Sequence, residues 1–443
     1  MIKSKRLCDF INNEMKEFSN HDNVRSIPSL VDGFKDSQRK AVFGMFKHGN
    51  SEIRLSQLAG STALVTAYTH GETSMADTIV GLAQRFPGAN NANLFEPIGQ
   101  FGTILSPESS AHRYIYTKPS TNLRKYIRKE DDLLLEYREE EGEKYEPLSY
   151  FPILPMWIVN GAVGIGTGHS VRILPRDPSS VADLVGKMSQ GVSVQQKTID
   201  RALTPVFHGW KGDVVSTGVK GQWELHGKFE IVNSTTIRVT ELPVTYDVDK
   251  YKSILISLMD SGVVKDYDNN SDEQSFDFVI TVPREVTKRA ELELMNLFKL
   301  TVKITENVTL WDVNGKLRRF EDVYTALQEF VQYRLGIYEI RKELQLEAYD
   351  DELAWLRNKI QFITYWNTKL KDPHKKTKDV LKAELSKAID EKFFDRLMAL
   401  QIASLTMEKI VELEKEVAAL EATRAKLEAE TTVSLYASDL KEI

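Results

Sequence analysis

Ser110-Ala111-His112-Arg113-Tyr114-Ile115-Tyr116-Thr117 sets a tyrosine directly after a permanently charged guanidinium. A phenol, with an ordinary pKa of about 10, is a poor nucleophile at neutral pH. An arginine beside it favours the phenolate and neutralises charge on a phosphate under attack. That is the minimum equipment for making a phosphotyrosine bond. Arg-Tyr also arises by chance, and most tyrosines are packing residues, so the reading depends on what else the chain carries.

Upstream lies Arg25-Ser26-Ile27-Pro28-Ser29-Leu30-Val31-Asp32-Gly33-Phe34-Lys35-Asp36-Ser37-Gln38-Arg39-Lys40. Ala67-Tyr68-Thr69-His70-Gly71-Glu72 follows, then Gly99-Gln100-Phe101-Gly102-Thr103. Downstream come Pro155-Met156-Trp157 and Gly161-Ala162-Val163-Gly164-Ile165-Gly166-Thr167-Gly168, then Thr240-Glu241-Leu242-Pro243. In this order and spacing the segments resemble the breakage-reunion region of the type IIA DNA topoisomerases, the gyrase A-like family. The resemblance covers nearly the whole chain. It is greatest to the form of T-even-type phages, in which this half of the enzyme, the medium subunit, is a separate polypeptide.

Charge at first argues against a DNA partner, since the 443 residues carry a net charge of −6. Phosphate affinity comes from local patches, however, and the charge here is segregated. Arg25, Lys35, Arg39, Lys40 and Lys47 face only Asp32 and Asp36, while Lys118, Arg124, Lys125, Arg128 and Lys129 occur with no intervening acid. The single cysteine, Cys8, excludes an internal disulfide framework and a thiolate zinc site. No run is long and apolar enough for a membrane, and the polar N-terminus does not read as a signal peptide. Cytoplasm is the expected location, that of a bacterial host if the gene belongs to a phage.

Hydrophobic periodicity divides the chain. Residues 1–24 read as an amphipathic helical arm. In 25–150 short helical patterns alternate with turns, with Asp36 or Ser37 as the expected cap of a helix carrying Gln38, Arg39 and Lys40. Residues 151–322 read as α+β, with strands expected over Val206 to Val215, Trp223 to Ile231, Thr236 to Leu242 and Phe276 to Thr281. Beyond Asp322 the pattern is helical. Phe330, Tyr333, Ile337, Ile340 and Leu344 recur at 3-4 spacing, and Ile410, Leu413, Val417, Leu420 and Leu427 hold a heptad in which Arg424 takes an apolar place. An outgoing helix over 323–366 and a returning one over 407–443, with 367–406 between, fit an antiparallel coiled coil. What lies between includes the polar turn Asp372-Pro373-His374-Lys375-Lys376.

The resemblance implies a multidomain α+β fold: a winged-helix DNA-binding domain with the catalytic tyrosine, an α/β tower, and a long coiled coil ending in a small helical exit-gate dimerisation domain. It also implies roles. Tyr114 is the expected nucleophile and Tyr116 its internal rival. Arg113 and Arg25 are expected on the scissile phosphate, and His70 beside it. His70 stands alone, because Thr69 replaces the first of the family's two histidines. Lys35, Arg39 and Lys40 are expected on the duplex backbone. Ile165, between glycines, is expected to wedge into a base-pair step and bend the DNA. Thr73 and Asp77 match positions where poisons of the bacterial enzymes act.

The chain shows no Walker A loop and no Toprim-type acidic cluster, so no metal ligands are expected in it. ATP and the Mg²⁺ that supports the leaving oxygen are expected on a gyrase B-like large subunit carrying ATPase and Toprim modules. Double-stranded DNA and a homodimer through the exit gate complete the expected partners. The DNA-wrapping propeller of gyrase is also missing, which predicts ATP-dependent relaxation and decatenation without strong negative supercoiling. A cleavage-deficient DNA-bending clamp and a coiled-coil scaffold are the competing readings. Neither explains Arg113-Tyr114 and Gly164-Ile165-Gly166 together.

Overall fold

The computed structural model describes residues 6–370, 376–386, 388–401 and 405–443. It divides into two compact units, Met1–Leu335 with Tyr436–Ile443, and Gly336–Leu435. The boundary expected near residue 150 therefore falls inside the first unit.

Within that unit the helices Asp36–His48, Leu55–Val65 and Glu72–Ala83 turn apolar positions spaced three and four apart toward one another. Ala41, Val42, Met45, Leu58, Met75 and Ile79 are buried between them. Beside them lies an antiparallel sheet with Tyr116–Pro119 at its centre, flanked by Ile53–Arg54 and Phe95–Ile98. Three helices and a three-stranded sheet are the arrangement expected of a winged helix. The cap differs from the expectation. Lys35 occupies the cap position and its backbone N–H donates to Gln38 Oε1 at 3.0 Å, so Asp36 falls in the first turn. There its carboxylate suits the positive end of the helix dipole. One residue before Phe34, Gly33 has φ +78, and any side chain would collide with the backbone of Met156 and Trp157. The Asp-Gly-Phe-Lys turn is thus pressed against the Pro155-Met156-Trp157 segment.

The expected strand over Val206 to Val215 is a turn followed by a short strand, Asp213–Ser216. Trp223 to Ile231 is two strands in two sheets. Gln222–His226 pairs with Thr301–Thr305 and Asp213–Ser216. Lys228–Asn233 edges a four-stranded sheet completed by Thr236–Glu241, Phe278–Thr281 and Asp266–Asn269. The chain changes sheets at Gly227, whose N–H donates to Leu300 O. Along Thr236–Glu241 burial alternates, Ile237 and Val239 facing in. Helices Val248–Asp260 and Glu291–Leu297 cover that face.

The hairpin Ala162–Gly166 with His169–Ile173 is a separate two-stranded sheet. The helical arm runs from Leu7 to Ser26 with one π turn over Ile11–Met15, mostly exposed, and only Asn23 within it is buried.

The long helix Val323–Thr368 has 46 residues, about 70 Å at 1.5 Å per residue. In the second unit it pairs with Met407–Ala429. Arg424 fills its apolar heptad place by an ion pair instead, with Nε 2.6 Å from Asp350 Oδ1 and Nη2 3.0 Å from Oδ2. Arg357 meets Glu421 at 2.6 Å, and Lys342 Nζ donates to the carbonyls of Glu428 and Glu430. The 3-4 stripe also shifts: Ile340 is exposed and Arg341 buried. The returning helix ends at Ala429, and a further helix, Thr432–Leu440, follows. At the other end Trp355, Phe362, Ile363, Leu385, Phe394 and Leu397 share a core. Most of the expected Asp372–Lys376 turn lies outside the described residues.

Candidate functional site

Tyr114 ends a tight turn in which its N–H donates to Ala111 O at 2.9 Å. Buried Ile115 anchors the next position, its carbonyl accepting from Leu55 N–H at 3.0 Å. The phenol between these anchors is 71% exposed, with the Arg113 guanidinium 6.0 Å from its ring centre. Tyr116 is differently placed. It is half-buried on the central strand, its hydroxyl accepts from Arg54 Nη2 at 3.1 Å, and the same guanidinium lies 5.6 Å from its ring centre. Of the two tyrosines only Tyr114 presents an unencumbered phenol to a large ligand.

His112 turns inward, its Nε2 3.2 Å from Asp77 Oδ1. The pair ties the tyrosine turn to the Glu72–Ala83 helix. Asp77, expected as a drug-contact position, therefore also has a structural partner, while Thr73 is exposed in the helix's first turn. Sequence reasoning missed His112, although it lies two residues before Tyr114 in the quoted stretch.

Arg25, Lys35, His70 and Ile165 line one cleft of about 530 Å³, together with Asp22, Ser26, Ser37, Tyr68 and Ser74. Residues from four distant stretches thus converge. Tyr114 and Arg113 do not line it; they join it through the helix that follows His70. The His70 ring stands 5.5 Å from Tyr68 and 6.2 Å from His21, centre to centre. Burial, then the positive charges of Arg25 and His21, hold its pKa below the usual 6.5 against the opposing pull of Asp36. Neutral imidazole is the form that accepts a proton or shares a hydrogen bond at neutral pH.

Two expected duplex contacts require correction. Lys40 is 2% exposed and bridges Asp36 and Glu146, each at 2.8 Å. Arg39 grips buried Asp32 through Nε at 2.8 Å and Nη2 at 3.1 Å. Their charge is already committed to carboxylates within the fold, so neither presents a free cation to a phosphate. Lys35 remains in the cleft, donating from Nζ to Val163 O at 2.7 Å, and burial lowers its pKa. The basic stretch from Lys118 is also largely engaged. Arg124 pairs with Asp132 and lies 3.9 Å from the Phe46 ring centre, while Arg128 pairs with Asp439 and Glu442.

Ile165 is 82% exposed at the end of its hairpin. The glycines on either side explain why. A methyl group on Gly164 would collide with the Ser26 carbonyl, and one on Gly166 with Asn23 Oδ1. The hairpin lies flush on the end of the helical arm and the isoleucine projects away from it. An apolar side chain held out in this way beside cations has the form of a wedge.

Around Tyr114 the chain offers guanidinium and imidazole groups rather than converging carboxylates. Among the described residues no group of three or more His, Cys, Asp or Glu could hold a metal ion. A Mg²⁺ site does not fit these residues.

Comparison with known proteins bears on this geometry. Residues 25–441 match the family model for the A-chain polypeptide of DNA gyrase/topoisomerase IV. DNA topoisomerase 2 of Arabidopsis thaliana is 36% identical across 98% of this chain and 33% of its own length. Human DNA topoisomerase 2-beta is 38% identical across 80% of this chain and 22% of its own. The crystal structure of the Plasmodium falciparum topoisomerase II DNA-binding, cleavage and re-ligation domain matches with a TM-score of 0.90 at 33% identity, covering 98% of this chain and 63% of that one. The chain spans about a third or less of the length of these curated relatives.

Proposed function

This chain belongs to the DNA gyrase/topoisomerase IV family of gyrase A-like polypeptides, and on that premise we propose that it cleaves and rejoins DNA for an ATP-dependent type II topoisomerase. The phenolic oxygen of Tyr114 attacks a backbone phosphate, the deoxyribose 3′-oxygen leaves, and the DNA stays joined to the protein through its 5′ phosphate. No water takes part, so the bond energy is kept and religation is the reverse step. Arg113 neutralises the phosphate as charge builds on its oxygens, and Arg25 provides a second cation. Neutral His70 shares the proton traffic of the cleft.

One observation carries this reading: an exposed Tyr114 beside Arg113, on a turn fixed by Ile115 and His112, while Tyr116 is held by Arg54. Ile165 bends the duplex at the cleavage site. One tyrosine cuts one strand, so two copies related by a two-fold axis make the double-strand break through which another duplex passes. Exposed Val380, Met407 and Val411 on the second unit provide apolar surface for that dimer. Type II topoisomerases use ATP and Mg²⁺, and we assign both to a gyrase B-like partner polypeptide. Among the described residues no helix is long and apolar enough to cross a membrane, and we place the protein in the cytoplasm. Relaxation and decatenation, rather than strong supercoiling, are its proposed products.

The test is a protein–DNA adduct trapped by denaturant from holoenzyme, duplex and Mg²⁺. Tyr114→Phe abolishes it. An adduct surviving that change removes Tyr114 as nucleophile. Holoenzyme that supercoils relaxed circles removes the proposed product preference.

A further inference from the structure

The Ile165 hairpin has two strands, so the outer edge of Ala162–Gly166 carries backbone groups that no third strand pairs. One of them, the Val163 carbonyl, accepts from the Lys35 ammonium at 2.7 Å. The other attachments come from the same stretch of chain. Thr167 Oγ1 donates to Asp22 Oδ2 at 2.7 Å, Asn23 Nδ2 donates to Thr167 O at 3.2 Å, and the Ser26 carbonyl rests against Gly164. Residues 22–35 thus form the seat of the hairpin, and Arg25 lies within that seat. Lys35 and Ile165 also line the cleft that holds Arg25 and His70.

We propose that Lys35 is a positioning residue that seats the Ile165 hairpin, so that wedge insertion and assembly of the Arg25–His70 cleft are one event. This rests on the DNA-cleavage reading above. A lysine whose only task was to hold a phosphate gains nothing by donating to a backbone carbonyl from a site that lowers its pKa. A lysine that braces an edge strand does. The protein thereby organises its phosphate cleft only where the duplex accepts the bend, and readily deformed base-pair steps become the preferred cleavage sites.

Lys35→Met keeps the length of the side chain and removes its donors. In holoenzyme made cleavage-silent by Tyr114→Phe, duplex bending is read by energy transfer between dyes at the DNA ends. Lys35→Met should reduce the bend to the level of Ile165→Ala and leave unchanged the slope of log binding constant against log salt. A phosphate ligand gives the opposite result: full bending with the slope shallower by about one. In cleavage-competent holoenzyme, adduct formation by Lys35→Met should fall about tenfold on an intact duplex and recover to within about threefold on one with a flexible mismatched step.

Gly164→Ala lifts the hairpin off Ser26 without touching charge, and should reproduce the loss of bending and its rescue even if Lys35→Met fails to fold. Retained bending in either folded variant, or loss of cleavage that a flexible step does not restore, overturns the proposal. Wild-type holoenzyme that forms no Tyr114-dependent adduct would instead refute the function on which it rests.

Discussion

Asp32 is completely buried, and its carboxylate receives five hydrogen bonds. Oδ1 accepts from Phe34 N at 2.9 Å and Arg39 Nη2 at 3.1 Å. Oδ2 accepts from Arg39 Nε at 2.8 Å, and from Tyr150 N and Ser149 Oγ at 3.2 Å. Asp32→Asn removes the negative charge and leaves a largely buried guanidinium with a neutral amide. Breaking one side of such a pair costs about 3–5 kcal/mol. Arg39→Met strands the carboxylate with three neutral donors and should cost about 2–4 kcal/mol. Fluorescence of Trp157, fully buried with its indole N–H on Leu30 O, reports unfolding of this region in urea. Both variants should move the midpoint at constant slope of unfolding free energy against urea. Arg39→Met should leave the salt dependence of DNA binding unchanged. A loss below about 1 kcal/mol in both variants, or a salt slope lowered by about one in Arg39→Met, would show that Arg39 serves the duplex and not the fold.

Three further outcomes test the site. Tyr116→Phe loses the Arg54 hydrogen bond, costs about 0.5–1.5 kcal/mol of stability and keeps the covalent adduct; loss of the adduct would make Tyr116 the nucleophile. Asp77→Asn and His112→Gln should slow adduct formation to the same degree. Combining them should add little, because each breaks the same 3.2 Å contact; additive effects in the double variant would deny the coupling. The folded state also holds His70 below its usual pKa, so it binds fewer protons than the unfolded chain between that depressed value and about pH 6.5. Stability should rise with pH through that window, and His70→Asn should flatten the rise in urea titrations across pH 5–7.

Much of this was legible in the sequence, for reasons that differ from element to element. Tyr114, Arg113 and Ile165 could be read because their chemistry lies in contiguous residues: a cation beside a phenol, an isoleucine between glycines. The long helices could be read because 3-4 periodicity persists over many turns. The roles of Lys40 and Arg39 could not. A lysine in a helical turn looks the same whether it faces solvent or a carboxylate, and Glu146 lies far from Lys40 in the chain. The division of Trp223 to Ile231 between two sheets was hidden for a similar reason. It is decided by what Gly227 meets, the Leu300 carbonyl, and not by its neighbours. The cleft itself, assembled from residues near 25, 35, 70 and 165, exists only in three dimensions.

The cross-ties between Val323–Thr368 and Met407–Ala429 have a mechanical consequence. Arg424–Asp350, Arg357–Glu421 and the Lys342 ammonium on two carbonyls occur at successive points along both helices. Each is specific to one register, and a slip by a single turn, about 5.4 Å, would break all of them at once. A heptad of leucines alone tolerates such sliding far better. The paired helices therefore behave as a braced strut, stiff against shear along its length, and any displacement imposed at one end must reach the other as tilt or rotation.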